Sequence, residues 1–171
     1  MGGKIMIIGN AGGGKSTLAK QLSNAKNLPL YRLDSLQWNP GWIATPKEEF
    51  ERKHDNLIAR DVWIIDGFAS WSSIEKRCAA ADTIIFVDHA IWIHYWWAIK
   101  RQFMCLFRPR PDFVEECPML PMTGKLLKMI WQIHRQYRPK LIELINSYQD
   151  TKWIYHITSP SELSQLIDLA S

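Results

Sequence analysis

The sequence predicts an α/β fold of three layers: a five-stranded parallel sheet with helices on both faces. Three observations carry that expectation. Short apolar runs alternate with helical segments along the whole chain. Each run is continuously apolar rather than alternating, as in strands buried on both faces. The first run passes through a glycine-rich turn directly into a helix. At 171 residues, with 47% apolar and 22% charged side chains, the chain has the size and composition of one globular domain spanning residues 1–171. Disorder, collagen and coiled coil are excluded by composition.

The elements follow in order. Residues 5–8 read as a strand that ends at Gly9, and 15–26 as the helix after it. A second short strand is expected at 30–33, followed by an irregular stretch rich in Trp, Gly and Pro. Thr45, Pro46, Lys47 and Glu48 supply an N-cap, a proline for the first helical position and a capping glutamate, so a helix should run to residue 60. Residues 62–66 form the third strand, 71–80 a short helix and 83–87 the fourth strand. A long helix over 91–107 carries Trp92, Trp96, Ile99 and Phe103 at helical spacing, which places these rings in the core. Prolines at 109, 111, 118 and 121 exclude regular helix over 108–122. Helix resumes over 123–149, kinked or divided by Pro139. Residues 153–157 are the fifth strand, and Ser159, Pro160, Ser161 and Glu162 repeat the capping signature for a last helix.

Charge is uneven. Residues 1–88 carry 11 basic and 10 acidic groups, 89–140 carry 9 and 3, and 141–171 carry 1 and 4. The positive segment expects an anionic partner, a small phosphate ligand or a nucleic acid. Cys78, Cys105 and Cys117 are odd in number and lack CxxC spacing, so a reducing, cytoplasmic compartment is expected and a disulfide framework is not. The five histidines, His54, His89, His94, His134 and His156, show no metal-ligand spacing and read as core or surface groups. No membrane partner is expected, because the apolar stretch at 91–107 is broken by Lys100 and Arg101 and is shorter than the roughly 20 residues a bilayer needs.

The sharpest signal is Gly9, Asn10, Ala11, Gly12, Gly13, Gly14, Lys15 and Ser16, followed by Thr17. It matches Gly, four residues, Gly, Lys and Ser or Thr, and it lies between a strand and a helix as a P-loop must. Glycines let successive backbone N–H groups turn inward and cradle phosphate oxygens at a positive helix terminus. Lys15 adds a mobile cation for the β- and γ-phosphates of ATP, and Ser16 a hydroxyl for Mg²⁺. The third strand ends in Asp66, placed to hold Mg²⁺ directly or through water, although an Asp capping the turn at Gly67 has the same appearance. Asp34 and Asp88 also end strands and compete for that role; Asp34 is expected at the acceptor and Asp88 in the structure. Phosphoryl transfer relies on positioning and charge stabilisation. Arg101, Arg108, Arg110, Arg135 and Arg138 flank the proline-rich stretch as candidates for a lid over the nucleotide, with Arg135 and Arg138 three apart on one helix face. Trp38 and Trp42 follow Asp34 in the irregular segment and are candidates for a substrate pocket.

The sequence resembles the P-loop kinases of the adenylate-kinase-related group, and most closely the bacterial topology modulation proteins. The resemblance rests on IMIIGNAGGGKSTLAKQL at 5–22, LYRLDSLQWNPGW at 30–42, VWIIDGFAS at 62–70, ADTIIFVDHAIW at 81–92, RPRPD at 108–112 and HRQYRPK at 134–140. It implies a three-layer P-loop NTPase fold with a nucleoside-monophosphate-kinase-like sheet, ATP and Mg²⁺, a short lid at about 108–122, and an adenine bordered by Thr158, Ser159 and Pro160. IIDGFAS is similar to the adenylate kinase strand ending in Asp-Gly-Phe-Pro-Arg, but Ala69 and Ser70 stand where Pro and Arg would be. The Arg that would grip an acceptor phosphate is therefore missing. The function expected first is transfer of the γ-phosphoryl group of ATP to a small acceptor, a nucleotide, nucleoside or other hydroxyl compound. The alternative is an ATP-switched nucleic-acid-binding or regulatory protein. A GTPase switch is disfavoured because no Asn-Lys-x-Asp-like motif follows the fourth strand.

Overall fold

A computed structural model of the chain describes residues 2–105, 118 and 120–170. Five parallel strands form the central sheet: β1 (Lys4–Gly9), β2 (Leu30–Arg32), β5 (Trp63–Asp66), β6 (Thr83–Val87) and β7 (Trp153–Ile157), in the order β2-β5-β1-β6-β7. All pairings are parallel, with Ile7 opposite Asp66 on one side of β1 and Gly9 opposite Val87 on the other. The three central strands are buried throughout apart from Lys4, which explains their unbroken apolar composition. The edge strands β2 and β7 are only partly covered, so burial on both faces holds for the middle of the sheet alone.

Because side chains alternate across a strand, the sheet divides its own core. Met6, Ile8, Trp63, Ile65, Ile84 and Phe86 point to one side. There they meet α3 (Lys47–Ile58) through Leu57, α4 (Trp71–Ala80) through Ile74 and Cys78, and α7 (Arg138–Asn146) through Leu141 and Ile145. Ile5, Ile7, Ile64, Ile85 and Val87 point to the other, against Leu18, Ala19 and Leu22 of α1 (Lys15–Lys26) and Leu163 and Leu166 of α8 (Pro160–Ala170). The three layers expected from the sequence are therefore present.

The differences are local and have physical causes. The irregular stretch after β2 contains a short helix, α2 (Leu33–Gln37), and a small antiparallel hairpin of β3 (Trp38–Asn39) and β4 (Ile43–Ala44). Elements of two to five residues leave no periodicity to read. At α3 the N-cap position falls on Pro46 rather than Thr45, whose N–H instead donates to the Gln37 carbonyl at 2.9 Å. The capping reading at the last helix holds: Ser159 Oγ accepts from Glu162 N–H at 3.3 Å, and the Glu162 carboxylate accepts from Thr158 N–H at 2.7 Å.

The expectation that α5 (Ile91–Met104) buries its ring stripe is overturned: Trp92, Trp96 and Phe103 are 67%, 63% and 63% exposed. The buried face is instead Ile93, His94, Ala98 and Gln102. This face lies against the glycine-rich loop, where a Cβ on Gly12 would come within 2.5 Å of the His94 carbonyl and 3.0 Å of Ala98 N. Backbone contact of Gly12 with His94 and Ala98 fixes the rotation of α5, which turns Trp92, Trp96 and Phe103 outward.

The helix expected over 123–149 is divided as anticipated. α6 (Thr123–Gln132) passes into a π-helical turn over Ile133–Tyr137 before α7, which carries Pro139 in its first turn. Proline lacks the N–H of the regular ladder and its ring crowds the preceding turn, so the helix widens just before it. Among the described residues, no helix is long and apolar enough to cross a membrane.

Candidate active site

The site forms where three adjacent central strands end. β1 leaves the sheet at Gly9, whose φ of 145° and distance of 2.1 Å between a would-be Cβ and the Val87 carbonyl leave room for glycine alone. The loop runs through Gly12 at φ 70° and ends at Gly14, the N-cap of α1. No side chain caps that helix and no acidic residue lies in its first turn, so its N–H groups and dipole remain available to an anion.

Lys15 Nζ donates to the carbonyl of Asn10 in the loop itself, at 2.7 Å. The ammonium group is therefore folded over the cradle it would serve. Ser16 Oγ donates to Asp66 Oδ2 at 2.7 Å, bringing together the two metal candidates from β5 and α1. Asp66 is buried, and its other oxygen, Oδ1, has no hydrogen-bond partner among the described residues. Burial pushes the Asp66 carboxyl above its ordinary range, while Lys15 and the Ser16 hydroxyl oppose the rise. A buried, orphaned carboxylate oxygen beside a serine hydroxyl is the hard-oxygen donor set that Mg²⁺ prefers, and the rest of its shell can be water and phosphate. The residues present thus fit the metal.

The glycine loop opens onto a cavity of about 900 Å³. Its other walls are Asp34, Gln37, Trp38 and Trp42 from α2 and the hairpin, Asp66 to Ala69 after β5, Trp97, Arg101 and Gln102 from α5, and residues of α6 and the π-turn including Lys125, Gln132 and Tyr137. Of the residues expected at the site, Gly9, Ala11, Gly12, Gly13, Gly14, Lys15, Ser16, Thr17, Asp34, Asp66 and Arg101 line this space, as do Trp38 and Trp42.

Others lie elsewhere. Arg138 is bound to buried Asp88, Nε to Oδ1 at 2.6 Å and Nη2 to Oδ2 at 2.9 Å, with His156 Nε2 on the same carboxylate at 2.9 Å. Arg135 is exposed and lies 5.7 Å from the centre of the Trp131 ring. The two arginines do not share a face toward the cavity, because the π-turn inserts more residues per turn than the α-helical spacing assumes. Asn10 contributes its backbone to the loop, but its side chain donates to the Ile130 carbonyl of α6 at 2.8 Å. Ser159 serves as the cap described above. Arg108, Arg110 and most of the lid expected at 108–122 fall outside the described residues, as does Cys117; Cys78 and Cys105 are free thiols.

Two supporting residues were not evident from the sequence. Arg77 of α4 is completely buried and holds the turn after Asp66, donating to the carbonyls of Gly67 at 2.9 Å and Phe68 at 2.8 Å, and to its own helix at Ser73. Burial lowers its pKa to about 10. His94 of α5 is buried against the loop, with Nδ1 donating to the Ala11 carbonyl at 3.0 Å. Nothing in the spacing of either residue marks a role, because each acts on backbone atoms distant in sequence.

His94 has a consequence for acid stability. Burial, reinforced by the nearby Lys15 charge, lowers its pKa from 6.5 to about 4. Between those values the unfolded chain binds a proton that the folded chain refuses, so stability falls as pH drops from about 6.5 toward 4. His54 and His89 are lowered in the same direction, chiefly by burial. At about 1.4 kcal/mol per pKa unit, the His94 contribution is bounded at on the order of 3 kcal/mol. Melting temperatures measured between pH 7 and pH 5 should decline, and a His94→Gln variant, which retains a donor for Ala11, should show a flatter decline. An unchanged slope in that variant would assign the acid sensitivity to other groups.

Comparison with known proteins agrees with the architecture. The PduV-EutP family model, described as ethanolamine utilisation - propanediol utilisation, matches residues 2–66, the part from β1 to the end of β5. No curated protein matches the sequence. Among solved structures, a shikimate kinase from Acinetobacter baumannii in complex with shikimate is similar at 13% identity and a TM-score of 0.57, covering 96% of this chain and 89% of that one. A gluconokinase from Sinorhizobium meliloti is similar at 14% identity and a TM-score of 0.52, covering 98% and 89%. The shikimate kinase of Aquifex aeolicus is 16% identical with a TM-score of 0.51, covering 96% and 91%. With its parallel sheet in the order β2-β5-β1-β6-β7 and the glycine loop at the end of β1, the chain has the α/β fold of the P-loop NTPases.

Proposed function

We propose that the protein is an ATP-dependent phosphotransferase of the adenylate-kinase-related group that moves the γ-phosphoryl group of ATP to a hydroxyl of a small acceptor. One observation carries the reading: the phosphate cradle, Lys15 and the Ser16–Asp66 pair open onto the same cavity as Asp34 and the aromatic hairpin. A nucleotide switch needs the first half of that arrangement; a transferase needs both halves. That the similar structures are a gluconokinase and a shikimate kinase supports this choice.

The glycine-loop amides and the α1 terminus would bind the phosphate tail, and Lys15 would leave the Asn10 carbonyl for the β- and γ-phosphates. Ser16 and Asp66 would hold Mg²⁺, which supplies neutralisation of the phosphate charge. Arg101 would add a planar donor at the transferring group. Arg108 and Arg110 complete this reading as lid arginines, and Ser159 belongs to the turn bordering the adenine. In the transfer, the acceptor oxygen forms a bond to the γ-phosphorus. The bond from that phosphorus to the bridging oxygen breaks with its electron pair remaining on ADP, and the hydroxyl proton passes to the Asp34 carboxylate.

The test is calorimetric titration with a non-hydrolysable ATP analogue and Mg²⁺, followed by ADP release measured over mononucleotides, nucleosides and small alcohols. Saturable analogue binding with acceptor-stimulated ADP release is expected. Tight nucleotide binding with no stimulation by any acceptor would favour the nucleic-acid-linked switch suggested by the basic segment and by the likeness to the topology modulation proteins. Absence of nucleotide binding would remove both readings.

A further inference from the structure

We infer that the hairpin and the turn after β5 form a subsite for an uncharged, hydroxyl-bearing sugar ring, free or as the ribose of a nucleoside, as the phosphoryl acceptor. This inference rests on the phosphotransferase reading above and specifies the class of acceptor. It starts from two tryptophans without a place in the core. Among the described residues, neither Trp38 nor Trp42 joins either buried cluster, yet both line the cavity. Their rings meet edge to face at 5.4 Å, with planes 75° apart, so together they make a corner rather than a parallel slot.

The hairpin is built to hold that corner. Each of its strands has only two residues, too few to be stable alone, and Ile43 at its far end is 64% exposed. It is held instead by polar contacts: Thr45 N–H to the Gln37 carbonyl at 2.9 Å, Asn39 Nδ2 to Thr45 Oγ1 at 3.2 Å, and Trp42 Nε1 to the Pro118 carbonyl at 3.0 Å. Trp42 itself has φ 60°, a left-handed backbone that bulky residues rarely adopt. Such conformations persist where the surroundings require a side chain at a given place, and ligand clamps are common among those places.

Charge narrows the ligand. Among the described residues, the cations that line the cavity are Lys15 and Lys20 of α1, Arg101 of α5 and Lys125 of α6. Residues 34–42 and 67–69 contribute none; their one ionisable group at the cavity is the Asp34 carboxylate. A phosphate or carboxylate on the acceptor would meet a like charge on this side, at a cost that negative design commonly exploits. A parallel aromatic slot would suit a flat base; a corner suits a puckered ring. Its C–H face can lie on the negative face of an indole while its hydroxyls donate to Asp34, an acceptor-only group, and bond with Gln37, one helical turn away. Phe68 and Tyr137, edge to face at 5.3 Å, extend the apolar wall.

The test uses the full chain saturated with a non-hydrolysable ATP analogue and Mg²⁺, titrated by calorimetry with matched probes. These are D-glucose, myo-inositol, D-ribose and adenosine as neutral rings, gluconate, shikimate and AMP as anions, and choline as a cation. At least one neutral ring should bind tenfold or more tightly than its anionic counterparts. The adenosine arm separates a nucleoside acceptor from a free sugar or cyclitol. A Trp38→Ala/Trp42→Ala variant should weaken that binding at least tenfold while analogue affinity stays within about twofold, and Trp38→Phe, which keeps a ring, should recover part of the loss. Preference for an anion or for choline, or silence from every neutral ring, would overturn the subsite. So would unchanged acceptor affinity in either the double variant or Asp34→Asn. Failure of the analogue itself to bind would instead sink the kinase reading.

Discussion

A Lys15→Ala variant is expected to remain folded and to lose about 10² to 10³ in the rate of phosphoryl transfer, the usual cost of deleting one preorganised charge contact. In the resting structure the ammonium donates to the Asn10 carbonyl and Lys15 is not part of the buried apolar core, so its removal should leave the fold intact. The loss should fall on turnover more than on nucleotide affinity, since the α1 terminus and the loop amides would remain. Removal also withdraws the largest influence opposing the rise of the Asp66 carboxyl, which burial already pushes up. Measured ADP formation at saturating ATP decides the matter. A rate within a factor of about three of wild type would show that the ammonium does not act on the transferred group.

Arg77→Leu should cost about 3 kcal/mol, seen as a melting temperature lower by about 6 to 12 °C. Two opposing effects set this value. Removing a cation from the interior relieves its desolvation, which lowers the Arg77 pKa to about 10 in the folded protein. Against that, the carbonyls of Gly67 and Phe68 lose their donors in a region leucine cannot hydrate. Arg77→Lys should recover little, because an ammonium cannot reproduce the planar fork that reaches both carbonyls while Nε bonds Ser73. The same turn carries Asp66 at its start and Ala69 at φ 54°, so loosening it should also weaken Mg²⁺-dependent nucleotide binding. A fall of less than about 2 °C in Arg77→Leu would show that the turn holds without the guanidinium.

The residues that most shape this site differ in how readable they are. The P-loop is a contiguous string whose chemistry depends on local backbone freedom, so Gly9 to Thr17 and the strand ending in Asp66 are legible in one dimension. Arg138 is not: its partner Asp88 lies 50 positions away, and only the juxtaposition of α7 with the end of β6 turns a candidate lid arginine into a structural one. Arg77 is the opposite case: nothing in the sequence marks it, and folding buries it among carbonyls. Trp92, Trp96 and Phe103 show why helical spacing identifies a stripe but not its direction. Periodicity says that one face is apolar, whereas the close approach of α5 to the glycine loop decides which face is buried.

By itself, then, the order of residues determined the alternation of strands and helices, the three-layer class and the phosphate cradle, because each depends on periodicity or on neighbours within a few positions. Tertiary structure alone decided which of the described arginines reach the cavity, that two tryptophans stand at its wall rather than in the core, and that His94 and Arg77 brace its turns. Those outcomes depend on contacts between elements far apart in the chain. Such contacts arise only when packing the two faces of the sheet brings the ends of its strands beside α2, α5 and α6.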